Sequence, residues 1–144
     1  MPDATKLLEQ DHREVEQLFT EFETTGDRAL ALRICDELEV HTTIEEEIVY
    51  PVLARDVDQS LAEEGKEEHE EVDRIMKQIR SLGPSDGRLR TFVAQLKDAV
   101  MHHVEEEEEE TFPKMRDRVG DQLPRMGEQI TARKQELVKA LQKG

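Results

Sequence analysis

Along the whole chain, apolar residues return at spacings of three and four, and no stretch alternates in the manner of a strand. Leu8, His12, Val15, Phe19 and Phe22 form the seam of a first helix packed in a bundle. Asp3 is placed to cap its start, and Thr24-Thr25-Gly26 reads as its exit. A second helix is predicted from about 27 to 50, with Ile34, Leu38, His41, Glu45, Ile48 and Val52 on one stripe. Pro51 should kink or end it, because proline lacks the backbone donor and crowds the preceding turn. Ser60-Leu61-Ala62-Glu63 fits a capping box for a third helix, whose stripe is Leu61, Gly65, His69, Val72, Met76 and Ile79. Leu82-Gly83-Pro84-Ser85-Asp86-Gly87 is the clearest turn. A fourth helix carries Phe92, Leu96, Val100, His103 and Glu107 inward until Pro113 punctuates it. A fifth, from about 121 to 142, tolerates Pro124 in its first turn. The pattern predicts an all-α protein. Residues 1–118 would form an up-down-up-down antiparallel four-helix bundle, and 119–144 an additional C-terminal amphipathic helix packed on the bundle or on a partner subunit.

Composition adds constraints. The 144 residues suit one compact domain. With 35 Asp+Glu against 20 Lys+Arg, the net charge is −15, which argues against nucleic acid or an anionic membrane as a partner. Aromatic residues are 3%, so the core must rest on aliphatic side chains. A lone Cys35 excludes a disulfide within the chain and fits a reducing compartment. The opening residues lack the basic and apolar regions of a signal peptide, and no run is apolar enough to span a bilayer. A cytoplasmic location is therefore expected.

The chemistry resides in the histidines. Four of the five lie on the inward stripes, one per bundle helix: His12, His41, His69 and His103. Counted from the helix ends at 1.5 Å per residue, each sits about 13–15 Å from the same end of the bundle, so the four imidazoles share a layer. Glu45 follows His41 by four residues and Glu107 follows His103 by four, which puts each pair on one helix face. The stripes hold no Lys or Arg to neutralise buried carboxylates. Metal answers both needs, accepting imidazole lone pairs and pairing with carboxylates. Six nitrogen and oxygen ligands are too many for one tetrahedral zinc and suit two carboxylate-bridged metals, with Fe favoured and Mn or Zn as alternatives.

An internal repeat strengthens this reading. His41-Thr-Thr-Ile-Glu45-Glu-Glu-Ile-Val-Tyr50-Pro51 returns 62 residues later as His103-Val-Glu-Glu-Glu107-Glu-Glu-Glu-Thr-Phe112-Pro113. With His12 and His69 contributed by the intervening helices, the order H…HxxxE…H…HxxxE resembles the hemerythrin-like, HHE cation-binding family over roughly residues 1–113. The resemblance implies a non-haem di-iron centre in a four-helix bundle. By position, His12 and His41 would hold one iron and His69 and His103 the other. Glu45 and Glu107 would bridge them, with an oxo or hydroxo group completing the bridge. It further implies binding of, or reaction with, O2 or peroxide, including catalase-like chemistry. Iron or oxygen sensing and iron buffering without turnover are the alternatives. The chain departs from the oxygen carriers of the family at Gly65, where those have a further histidine, and at Glu107, where they have an Asp five residues after its His. The expectation is a more open, more symmetrical centre, with Gly65 leaving a coordination position free.

Other features receive plainer readings. His102 points about 100° away from its ligand neighbour, and most of Glu105–Glu110 should be solvated. Asp73 lies on the wrong side of His69 to replace a ligand. Glu9-x-x-His12 is half of a ferritin-like device without its second copy. Tyr50 and Phe112 are expected to plug the bundle end, and Cys35 to act as a small hydrophobe. Residues 121–144 carry five basic groups (Arg125, Arg133, Lys134, Lys139, Lys143) against three acidic ones (Asp121, Glu128, Glu136), a net +2 that complements the acidic body. Docking there, within a monomer or in a homodimer, is expected to be chiefly apolar.

Overall fold

The structure is a computed structural model that describes residues 2–143, the side chain of Lys143 excepted. Helix α1 is Ala4–Thr25. Helix α2 runs through Arg28–Ile44, a π-helical turn at Glu45–Val49, and Tyr50–Asp56. Helix α3 is Gln59–Ser81. Helix α4 repeats the α2 design as Leu89–Glu106, a π-helical turn at Glu107–Thr111, and Phe112–Val119. Helix α5 is Leu123–Lys143. The first four form an up-down-up-down antiparallel bundle, with α1 on α2, α2 on α3 and α3 along α4, while α5 lies across α1 and α2. No strand occurs among the described residues, and no helix is long and apolar enough to cross a membrane.

Local chemistry sets the boundaries. Asp3 caps α1 by accepting from the Lys6 amide at 3.1 Å. Gly26 ends it at φ 66°, a left-handed conformation that costs glycine little, and returns its N–H to Phe22 O at 2.7 Å. The cap of α3 differs from the sequence expectation. Asp58, not Ser60, is the capping residue, and its Oδ1 accepts from the Ser60 amide at 3.0 Å, the Leu61 amide at 3.3 Å and the Ser60 hydroxyl at 2.7 Å. A carboxylate is the stronger acceptor, and here it recruits the competing serine as a donor.

Neither Pro51 nor Pro113 ends its helix. In a regular α-helix each ring would crowd the carbonyl four residues back. Those residues, Glu47 and Glu109, lie in the π-helical turns, whose wider spiral takes up the conflict. The extra residue in each turn also advances the buried face by one position. Hence Val49, Tyr50 and Leu53 are buried where the regular stripe predicts Ile48 and Val52, which are only half-buried.

The apolar core is divided. One cluster, including Phe19, Phe22, Ile34, Leu38, Met76, Ile79 and Leu96, fills one end of the bundle. The other, including Leu8, Ile44, Val49, Leu53, Phe112 and Met115, fills the opposite end and takes in Leu123, Met126 and Ile130 of α5. Between them runs a buried polar layer.

Candidate metal centre

That layer contains all six side chains singled out from the stripes, and none exceeds 6% exposure: His12, His41, Glu45, His69, His103 and Glu107. They gather in two groups of three, His12–His41–Glu107 and Glu45–His69–His103, each with its donor atoms within 4.8 Å of one another. The groups share edges. Glu45 Oε1 lies 3.0 Å from His69 Nε2, 3.3 Å from His41 Nε2 and 3.4 Å from His103 Nε2. Glu107 reaches His12 Nε2 with Oε1 at 3.2 Å and His103 Nε2 with Oε2 at 3.4 Å. Each carboxylate therefore faces imidazoles of both groups, as a bridge must.

Both glutamates begin the π-helical turns. The regular helix before each turn fixes the i,i+4 relation to the preceding histidine, and the widened spiral after it changes which residues follow them into the core.

Four of the buried atoms in the layer have no hydrogen-bond partner: His12 Nε2, His41 Nε2, Glu45 Oε2 and Glu107 Oε1. Orphaned buried polar atoms are costly, and these four are lone-pair donors pointed at common ground. The residues fit a pair of metal ions.

Electrostatics match. Burial alone would raise the Glu45 carboxyl, but the charge on His41 and the close approach of Glu107, His103 and His41 hold it well below the carboxylate range. Burial alone would lower His41, yet the Glu45 charge 3.3 Å from Nε2 and the hydrogen bond to Asp11 raise it to about 10. His103 is likewise held well above its ordinary value, against burial, by the Glu107 charge and bonds to Glu107, Glu45 and Glu68. Protons thus stand where cations would be accepted.

Four further carboxylates escape the stripe analysis. His12 donates from Nδ1 to Glu108 at 2.7 Å, His41 to Asp11 at 3.0 Å, His69 to Glu46 at 2.9 Å and His103 to Glu68 at 2.6 Å. Each engaged Nδ1 turns Nε2 toward the centre, the arrangement that orients metal-binding imidazoles. The four contacts close a ring. Every helix supplies its own histidine and the carboxylate that steadies the histidine of the next helix. The sequence signal was present: each supporting carboxylate is the chain neighbour of an inward ligand (Asp11 of His12, Glu46 of Glu45, Glu68 of His69, Glu108 of Glu107).

Tyr50 and Gly65 depart from expectation together. Tyr50 is no plug: 1% exposed, its hydroxyl lies 3.1 Å from His69 Nε2 and 3.4 Å from both His103 Nε2 and Glu107 Oε2. The π-helical turn rotates it inward. Burial, then the Glu45 and Glu107 charges, push its hydroxyl far above the usual phenol range. Gly65 leaves no open position, because a Cβ there would meet Tyr50 Oη at 2.6 Å and Cζ at 2.7 Å. The space is a seat for the tyrosine ring. Nor is the centre symmetrical, since the repeat partner Phe112 brings no hydroxyl and stacks on His12 at 5.9 Å.

The remaining acidic candidates face outward. Glu9 pairs with Arg116 at 2.8 Å, Asp73 pairs with Lys77 at 3.0 Å, and Glu110 is exposed.

The family model for the hemerythrin HHE cation binding domain matches residues 3–115, and matches again over 66–142. Among solved structures, a hemerythrin HHE cation-binding domain-containing protein from Mycobacterium kansasii is 22% identical and superposes with a TM-score of 0.85, covering 99% of this chain and 92% of that one. A DNA nickase from Nostoc sp. is 30% identical over 120 residues, which is 81% of this chain. The matched stretch spans only 34% of that relative's length. Matched from its first helix cap to the end of the second π-helical turn and beyond, the chain belongs to the hemerythrin HHE cation-binding domain family.

Proposed function

We propose that this chain is a hemerythrin-like non-haem di-iron protein that binds or reacts with O2 or peroxide. The observation that carries the reading is the pair of three-ligand groups sharing two buried carboxylates, with four unpartnered lone-pair atoms between them. An all-nitrogen-and-oxygen donor set of this kind suits iron. His12, His41 and Glu107 would hold one ion, Glu45, His69 and His103 the other, and Tyr50 stands as a further donor on the second. Two bound iron ions would supply the redox chemistry.

The chain supplies confinement and protons. A cavity of about 20 Å3, roofed by Val15, Leu38, Val72, Val100 and Val104, lies against all four imidazoles. That room fits a diatomic molecule or peroxide and excludes an organic substrate. The Tyr50 hydroxyl, donating to Glu107 Oε2, holds a proton beside the centre. Nucleic acid has no place in this reading, because a net charge of −15 repels a phosphate backbone. A sensing role is the second reading. It is favoured by Lys134 of α5, which binds Asp11 at 2.9 Å and so connects an outer helix to the support of His41.

The test is to add peroxide to iron-loaded protein while following O2 release and the optical spectrum. Turnover or a spectral change that is lost in Glu45→Ala supports the reading. An iron-loaded protein whose spectrum and O2 release are indifferent to both O2 and peroxide would leave only buffering.

A further inference from the structure

The ring of supporting carboxylates is unevenly neutralised. On the His12–His41 side, Asp11 is paired with Lys134 at 2.9 Å and Glu108 with Arg13 at 2.7 Å. On the other side Glu68 has no Lys or Arg partner among the described residues. It accepts from His103 through Oε1. Its second oxygen, Oε2, lies 3.5 Å from Nε2 of His102, and the same Nε2 lies 3.2 Å from Glu106 Oε1. One donor atom from each of Glu68, His102 and Glu106 falls within 4.8 Å of the others, a third ligand group outside the buried layer.

Two further observations point to a cation. An imidazole gathered with two carboxylates is a divalent-metal donor set rather than a solvated acidic face. The group also stands at the mouth of a narrow crevice. Glu64, Glu68 and Glu106 line its outer part, and Tyr50, His103 and Glu107 its inner wall, with about 10 Å3 of room, roughly that of one water. Glu107 is 2% exposed and turns Oε2 toward Tyr50 and His103 on that inner wall. Gly65 lines the same crevice.

We propose that Glu68, His102 and Glu106 form an outer divalent-cation site, distinct from the buried centre, from which cations pass along this crevice to the His69–His103 half. Glu68 connects the two levels, offering Oε2 to the outer ion and Oε1 to the histidine that receives the inner one. The site itself stands on its own geometry, and only its loading role rests on the di-metal reading.

Mn2+ is the probe. Protein carrying its tightly held metal should take up one additional, weaker Mn2+ per chain, seen as loss of the free-ion EPR signal. His102→Ala and Glu106→Gln should each weaken that uptake by about tenfold or more and leave the tightly held metal unchanged. Both residues lie outside the buried layer, and His102 is 66% exposed, so the fold should survive either change. In a second arm, apo-protein is mixed with Fe2+ without oxygen. The variants should fill to the wild-type end point several-fold more slowly. Mn2+ uptake unaffected by both substitutions would overturn the outer site. Uptake abolished with an unchanged filling rate would overturn the loading role alone. Failure of the di-metal reading would instead show as no tightly held metal in wild type, with the His102-dependent Mn2+ uptake still present.

Discussion

Gly65→Ala puts two known effects in opposition at one atom. Alanine is favoured over glycine inside a helix by about 1 kcal/mol, so on α3 the change should stabilise. Yet the three nearest atoms to a Cβ at 65 all belong to Tyr50, at 2.6, 2.7 and 3.1 Å, and Tyr50 is 1% exposed. A buried ring packed on His69 at 5.2 Å cannot give way without cost, and overpacking of this kind costs about 1–3 kcal/mol. Losing hydroxyl contacts to the ligand atoms adds roughly 1 kcal/mol. Displacement wins, for a net loss of about 1–3 kcal/mol, or roughly 2–10 °C in melting temperature for a chain of this size. Differential scanning calorimetry of the metal-loaded protein measures it, and metal analysis shows whether the His69–His103 half empties. The decisive control is the same substitution in a Tyr50→Ala background, where the ring is gone and the helix preference acts alone. There Gly65→Ala should stabilise, and the sign reversal gives the coupling directly. A Gly65→Ala protein that is more stable than wild type, with Tyr50 in place, would refute the seating of the ring.

Three further outcomes follow from the same geometry. His41 is raised from 6.5 to about 10, so folded apo-protein keeps a proton that the unfolded chain releases. That stabilisation is complete below pH 6.5 and fades toward pH 10, by about 1.4 kcal/mol per pH unit at most, so the melting-temperature gap between metal-loaded and chelated protein should widen over this window and not narrow. Asp11→Asn weakens the acceptor that holds His41 Nδ1, and competition with a chelator should report metal affinity lower by about 10–100-fold. Truncation after Gly120 removes the buried side chains of Leu123, Met126 and Ile130, worth roughly 2 kcal/mol each, and thermal melts should show a loss of several kcal/mol.

The helical pattern was legible because the heptad seams survive in a bundle with short connections. The same seams carried His12, His41, His69 and His103 into one layer, together with Glu45 and Glu107. What stayed hidden depends on departures from regular helix. The π-helical turns at Glu45–Val49 and Glu107–Thr111 shift the inward face by one residue, which no 3.6-residue periodicity anticipates. Regular spacing therefore places Tyr50 at the bundle end, although its hydroxyl reaches His69, His103 and Glu107. Regular spacing likewise leaves Gly65 facing an open coordination position, since its purpose is visible only once Tyr50 is located. The ring of Asp11, Glu46, Glu68 and Glu108 was hidden differently. Each residue serves a histidine on another helix, so its role is set by interhelical packing and not by spacing along its own helix.

Metal content per chain, measured by plasma mass spectrometry on iron-reconstituted protein after gel filtration, decides whether the buried layer holds one ion or two. Two tightly held ions per chain are expected, with Glu45→Ala and Glu107→Ala each losing more than one, because each carboxylate faces both groups. A single tightly held ion in the wild type, whose loss is the whole effect of either substitution, would contradict a shared two-metal centre.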